Sequence, residues 1–253
     1  MSTMPVLFVG HGSPMEAISH SVHSQGWETM GKRLPKPKAI LVVSAHWYTK
    51  GLKVSKQATL KQVYDMYGFP DELYQVKYTP HGDDELTEKV LARLPEAEVD
   101  NTWGIDHGVW SILMYMYPEA NIPVVIVSID DTKRAEEQFE IGQRLADLRD
   151  EGYLIMGSGN VVHNLQTVQM TDDAYPWTLA FDGQIKEAIL TKDWDAVVHY
   201  QNTFAHAHDA APTPEHFNPL LVMLGVASKD DTVTVWNEGS KLGSISMTSY
   251  RFE

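Results

Sequence analysis

Five histidines in this sequence stand where an imidazole could do chemistry. His11 follows a short apolar run at residues 6–9, His46 comes three residues after the run 39–43, and His163 follows the run 153–156 through the turn Gly157-Ser158-Gly159-Asn160. Runs of this kind, short and rich in β-branched residues, read as buried strands. The three imidazoles therefore lie at strand carboxyl ends, where open α/β sheets gather their ligands. His216 falls in the first turn of a helix expected to begin at Pro214, with Thr213 as N-cap. The positive end of a helix disfavours a cation, so His216 is expected as the neutral imidazole that coordinates metals. One reading of these four residues is a mononuclear metal site at one sheet edge. The other is four separate hydrogen-bonded structural histidines. The fifth, His107, stands between Gly104 and Gly108 in an aromatic-rich stretch just before an apolar helical segment. That setting suits a general acid/base next to a planar substrate, or equally a loop histidine capping the helix.

The elements that must position these residues alternate. Strand-like runs at 6–9, 39–43, 122–128 and 153–156 are separated by amphipathic segments at 84–94, 109–117 and 132–150, the last with a start signal at Thr132 and Glu136. Residues 176–190 and 193–207 read as helices, and 232–236 and 244–250 alternate like strands. The expected fold is α/β, a central mixed, largely parallel sheet flanked by helices on both faces, in one domain over 1–253.

Composition removes several function classes. The chain has 253 residues, 43% of them hydrophobic and 21% charged, which is ordinary for a globular fold. A net charge of −14 argues against nucleic acid, and the densest basic stretch, residues 32–38, is broken by Pro35 and Pro37. With no cysteine there are no disulfides, thiolate metal sites or cysteine nucleophiles, so any metal must be held by histidine or carboxylate. The first residues lack a basic n-region, and no apolar run approaches a membrane span, so the expected location is cytoplasmic with no membrane partner. A monomer or small homo-oligomer is expected.

Other motifs fail on inspection. Gly10-His11-Gly12-Ser13-Pro14-Met15 has Met where a dinucleotide fingerprint needs its third glycine. Gly157-Ser158-Gly159 lacks the spacing of a hydrolase nucleophile elbow. His206 and His208, two apart at the end of a helical stretch, face different ways. His20, His23 and His199 lie among polar neighbours and are expected at the surface.

Taken together and in order, six motifs are specific: Gly10-His11-Gly12-Ser13-Pro14; Ser44-Ala45-His46-Trp47; Gly68-Phe69-Pro70 with Leu73-Tyr74; Trp103-Gly104-Ile105-Asp106-His107-Gly108; Ser158-Gly159-Asn160-Val161-Val162-His163-Asn164-Leu165; and Pro212-Thr213-Pro214-Glu215-His216 with Pro219-Leu220-Leu221. Over nearly the whole chain this set resembles the 4,5-DOPA extradiol dioxygenases, a branch of the class III extradiol ring-cleaving enzymes related to protocatechuate 4,5-dioxygenase. The resemblance implies metal-dependent opening of a catechol ring, such as that of L-DOPA, with O2 to give a muconate semialdehyde. It further implies one divalent metal surrounded by His11, His46, His163 and His216, with His107 as the acid/base. Zn(II) is expected as bound occupant and Fe(II) for turnover.

Coordination arithmetic limits that shell. Four histidines, a bidentate catechol and O2 would demand seven positions, beyond the usual six-coordinate geometry, so one histidine is expected to stand outside or to leave, with His163 or His216 as the candidates. Tyr48, Trp47, Trp103, Trp110 and Phe69 are candidates for the apolar walls, and no cluster of Lys or Arg near the motifs presents itself for a substrate's charged tail. Two rival readings use the same histidines: a zinc hydrolase, and a non-catalytic zinc-binding protein.

Overall fold

A computed structural model describes residues 3–253. Its strands are β1 (Val6–Gly10), β2 (Ile40–Thr49), β3 (Lys53–Val54), β4 (Glu98–Val99), β5 (Val124–Asp130), β6 (Leu154–Gly159), β7 (Val233–Trp236), β8 (Ser240–Lys241), β9 (Ile245–Ser246) and β10 (Ser249–Phe252). Eight of them form one sheet in the order β4-β3-β5-β2-β6-β1-β10-β7, while β8 and β9 pair as a separate ribbon. The central pairs β5–β2, β2–β6 and β6–β1 are parallel, whereas β10 runs antiparallel to β1 and β7, and β3 antiparallel to β5. The four central strands are the four apolar runs visible in the sequence. They are buried on both faces, as parallel strands covered by helices must be.

Alternation along these strands sorts side chains into two layers. Val6, Phe8, Leu41, Val43, Val125, Val127 and Ile155 point to one face, where the helices Ala135–Leu145, Pro176–Leu190 and Asn218–Val226 pack. Leu7, Val9, Ile40, Val42, Val124, Ile126, Leu154 and Met156 point to the other, against the helices Val22–Arg33 and His107–Met116. Helices on both faces thus approach the same carboxyl edge of the sheet. Among the described residues no helix is long and apolar enough to cross a membrane.

Several local expectations are corrected. The helix expected from Pro214 starts at Asn218 with Pro219 in its first turn. Residues 214–217 form a turn instead, in which the Phe217 and Asn218 amides donate to the Pro214 carbonyl. The Thr213 hydroxyl donates to Glu215 rather than capping a helix. The segment 193–207 is not one helix but the short helices Trp194–Val198 and Tyr200–Thr203 followed by non-helical residues. The expected start at Thr132 shifts to Ala135, where the Arg134 amide donates to the Glu137 carboxylate. The run 244–250 is split between β9 and β10, which lie in different sheets.

Candidate active site

The sheet edge gathers the histidines. His11 follows the last residue of β1, and its ring centroid lies 4.7 Å from that of His46, 5.3 Å from His216 and 5.6 Å from His107. His46 lies inside β2, where the register with β5 shifts between Val43 and Tyr48. Such an irregularity re-aims side chains, and here it turns His46 toward His107, with ring centroids 4.3 Å apart. His216 arrives from the opposite face of the sheet on the 214–217 turn. Its close approach depends on Gly159, because a Cβ there would stand 2.2 Å from the His216 carbonyl oxygen. Gly108 has the same role at the centre, where a Cβ would lie 3.0 Å from His11 Nδ1 and 3.1 Å from the His46 ring.

Each ring is held from outside the cluster, and the holding group decides its tautomer. The Ser158 hydroxyl donates to the Gly108 carbonyl at 2.6 Å, so toward His11 Nδ1, 3.0 Å away, it accepts. His11 Nε2 is left as a buried lone pair with no partner. His46 Nδ1 donates to Asp106 at 2.9 Å, and Asp106 also accepts from the Ser44 hydroxyl at 2.8 Å and the Gly108 amide at 3.0 Å. His216 Nδ1 faces Glu215 at 3.3 Å. The Nε2 atoms of His46 and His216 lie within hydrogen-bond distance of each other, at 3.1 Å. Burial, then the neighbouring imidazoles, hold His11 and His216 well below the usual histidine range, so both are neutral. Burial also opposes charging of His46, but Asp106 and Asp65 outweigh it and raise its pKa.

This donor set fits a metal ion. With its Nδ1–H given to Asp106, a neutral His46 presents Nε2 as a lone pair toward His216 Nε2, and an ion between them takes the place of the proton that otherwise bridges the two nitrogens. Two nitrogens each about 2.1 Å from one ion in neighbouring positions stand about 3.0–3.4 Å apart, which matches the 3.1 Å observed.

His163 is placed differently. Its ring stacks on that of His216, centroids 3.4 Å apart and planes 7° from parallel. A ring-nitrogen lone pair lies in the ring plane, so an ion in the plane of His216 is a full stacking distance off the plane of His163. The His163 and His216 ring nitrogens group with Glu215, while those of His11 and His46 group with His107.

His107 opens the helix His107–Met116, whose N-cap Asp106 accepts from the Gly108 amide. Asp65 grips it twice, through the His107 amide at 2.9 Å and Nδ1 at 2.8 Å. Burial would raise the Asp65 pKa, but the bonds and charge of His107 and His46 overcome it and hold the carboxyl at about 2. His107 itself is lowered by burial and by His46, against the pull of Asp65. Sequence reasoning missed Asp65, because 42 positions separate it from His107 and its neighbours carry no motif. Asp106 lay inside a quoted motif without a role; a carboxylate one position before a helix histidine is the signal that could have found it.

Above the rings opens a cavity of about 490 Å³ whose walls include Pro14, Met66, Tyr67, Phe69, Leu165, Leu242 and Ile245. Of the aromatic residues expected as walls, Phe69 alone lines it. Trp47 and Trp110 are spent in the core, and Trp103 packs against it, donating to Asp106. Tyr48 is part-exposed on another surface, in reach of Asn218. Among the remaining histidines, His20, His199, His206 and His208 are exposed as expected. His23 is instead buried, because it follows the Ser21 cap into the helix Val22–Arg33 and packs beneath Gly239.

Comparison with known proteins agrees with this geometry. The pattern of the family described as the catalytic LigB subunit of aromatic ring-opening dioxygenase matches residues 3–253. The chain is 43% identical to a 4,5-DOPA dioxygenase extradiol of Escherichia coli (strain K12), over 97% of this chain and 93% of that protein. It is 37% identical to one of the same name from Beta vulgaris, over 97% and 95%. A crystal structure of an uncharacterized Escherichia coli K12 protein superposes with a TM-score of 0.86 at 39% identity, covering 99% of this chain and 100% of that one. The chain therefore belongs to the LigB family of aromatic ring-opening dioxygenases, extradiol ring-cleaving enzymes that use O2 and a metal ion, and its histidine-rich site is where such an ion fits.

Proposed function

We propose that this protein opens the ring of a catechol such as L-DOPA beside the diol, giving a muconate semialdehyde, with His11, His46 and His216 holding one divalent metal and His107 moving the proton. The observation that carries this reading is the convergence of imidazole Nε2 atoms beneath a cavity of about 490 Å³: His46 Nε2 and His216 Nε2 at 3.1 Å, with the unpartnered His11 Nε2 beside them. The stacking of His163 on His216 favours placing His163 outside the metal shell, on the cavity wall, in place of a four-histidine shell. When bound there, a six-coordinate ion with three protein donors supplies three positions for substrate and O2, and iron(II) adds the redox chemistry that ring opening requires. Zn(II) suits the same nitrogens and is the expected occupant of protein purified in air.

The protein's own groups do the rest. His107, with Nδ1–H committed to Asp65, offers Nε2 to the cavity as a base for a catechol hydroxyl. The ionised Asp65 stabilises the imidazolium that results and keeps the ring from turning, so the proton can be returned from the same atom. Ser158, Asp106 and Glu215 bind the Nδ1 atoms of His11, His46 and His216 and so aim the opposite Nε2 atoms at the metal site. The apolar walls exclude water from the ring. Charge and composition support a cytoplasmic enzyme acting on small molecules as a monomer or small homo-oligomer, one catalytic domain across the chain.

The test is oxygen uptake with simultaneous visible absorbance, on metal-stripped protein reloaded anaerobically with Fe(II) or Zn(II) and mixed with L-DOPA and air. Stoichiometric uptake with a yellow product from the Fe(II) form alone is the expected result. Tight binding of both metals with no uptake from either would sink the reading.

A further inference from the structure

The floor and the walls of the cavity differ in a way that bears on the substrate's substituent. A ring seated over the histidines directs its substituent upward, between Met66, Phe69, Leu165, Leu242 and Ile245. Among the described residues lining the cavity there is no lysine or arginine. Lys241, which precedes the wall residue Leu242, has its ammonium committed to Asp172 at 2.9 Å and to the buried Glu16 at 3.6 Å. The charged side chain that does face the cavity is anionic: Asp65, whose two oxygens are already taken by His107. Glu215 adds a second carboxylate just behind His216, and the chain as a whole carries −14.

We propose that the cavity selects catechols whose ring substituent is neutral or cationic and discriminates against those whose substituent is a lone carboxylate. The proposal rests on the ring-cleavage reading above and deepens it. A carboxylate drawn between these walls loses water and meets only uncharged donors, the Ser13 and Tyr67 hydroxyls and the His163 ring, with no lysine or arginine as counter-charge, and it approaches the Asp65 carboxylate. An alkyl group meets apolar surface of its own kind, and an ammonium is drawn by the same carboxylate. L-DOPA, with one charge of each sign, falls between, its carboxylate left toward solvent at the cavity mouth.

The experiment compares three catechols of similar size: 4-ethylcatechol, dopamine and 3-(3,4-dihydroxyphenyl)propionate. Dissociation constants are measured anaerobically by calorimetry on the Zn(II)-loaded protein at low salt, and kcat/KM by oxygen uptake on the Fe(II) form. The expected result is that the propionate binds at least about tenfold more weakly than 4-ethylcatechol, that dopamine binds at least as well as 4-ethylcatechol, and that raising the salt narrows the gap. Propionate binding equal to or tighter than that of 4-ethylcatechol overturns the proposal. Leu165→Lys, at a position 61% exposed where a long polar side chain is accommodated, is expected to shrink the gap several-fold. A gap that persists unchanged in that variant also overturns the assignment to wall charge. No oxygen uptake with any catechol, with the binding order intact, would instead count against the ring-cleavage reading alone.

Discussion

The floor of the cavity and its walls are built on opposite principles. On the floor each imidazole proposed to face the metal is fixed by a hydrogen bond to Ser158, Asp106 or Glu215, and His107 by two to Asp65, all at the edge of strands buried on both faces. The walls are mostly apolar side chains from loops and from the small β8–β9 ribbon, with Ser13, Tyr67 and His163 among them, and Leu165 and Tyr67 are 61% and 92% exposed. Geometry at the floor is over-determined, whereas the walls supply shape and little else. The difference teaches that the reaction is written in the floor and the range of substrates in the walls, so substitutions in the two regions should fail differently.

The largest separation is expected from the metal-facing rings. His46→Ala or His11→Ala should abolish metal retention after dialysis, read by elemental analysis, whereas His163→Ala should keep the metal; loss of metal from His163→Ala would restore it to the shell. Next, His107→Gln should leave metal content near wild type and lower kcat by about 10²–10⁴. Loss of metal together with activity would remove its acid/base role. Asp106→Asn acts one bond further out and should weaken metal affinity by about 10–100-fold, measured by competition with a chelator.

Two largely buried carboxylates sharpen the contrast through pH. Asp65 on the floor is held at about 2, so its contribution to stability is present above the unfolded carboxylate pKa and is lost as pH falls through about 2. Asp182 fastens the wall by accepting from the Ser246 and Thr248 hydroxyls, and burial raises its pKa. Its folded form prefers the proton, so stability falls as pH rises from the unfolded pKa to the raised folded value. Urea midpoints of the metal-free protein across acidic pH should show Asp182→Asn flattening that fall; an unchanged slope would mean that Asp182 titrates as it does in the unfolded chain. The smallest effect is expected from Phe69→Ala, a several-fold rise in KM with kcat and metal content nearly unchanged.

Much of this was legible before any coordinates. The four central strands, their β-branched runs and the placement of His11 and His46 at their carboxyl ends follow from local pattern, because a strand buried on both faces must be apolar throughout. The shift of the helix start from Pro214 to Asn218 was not, since Pro214 and Pro219 both suit a first turn and packing against Gly159 chose between them. Nor was Trp110 as core rather than wall: an indole suits either environment until its neighbours are known.

The sequence by itself determined the kind of fold, the absence of thiol chemistry and the set of imidazoles available, because these depend on residue types and short-range periodicity. Tertiary structure alone decided which imidazoles meet. Asp65 and His107 are brought together across 42 positions, His46 and His216 across 170, and His163 is turned parallel to His216 rather than toward a shared point. Contacts of that kind arise where helices from both faces of the sheet reach one edge, and their distances depend on packing between segments that carry no local record of one another.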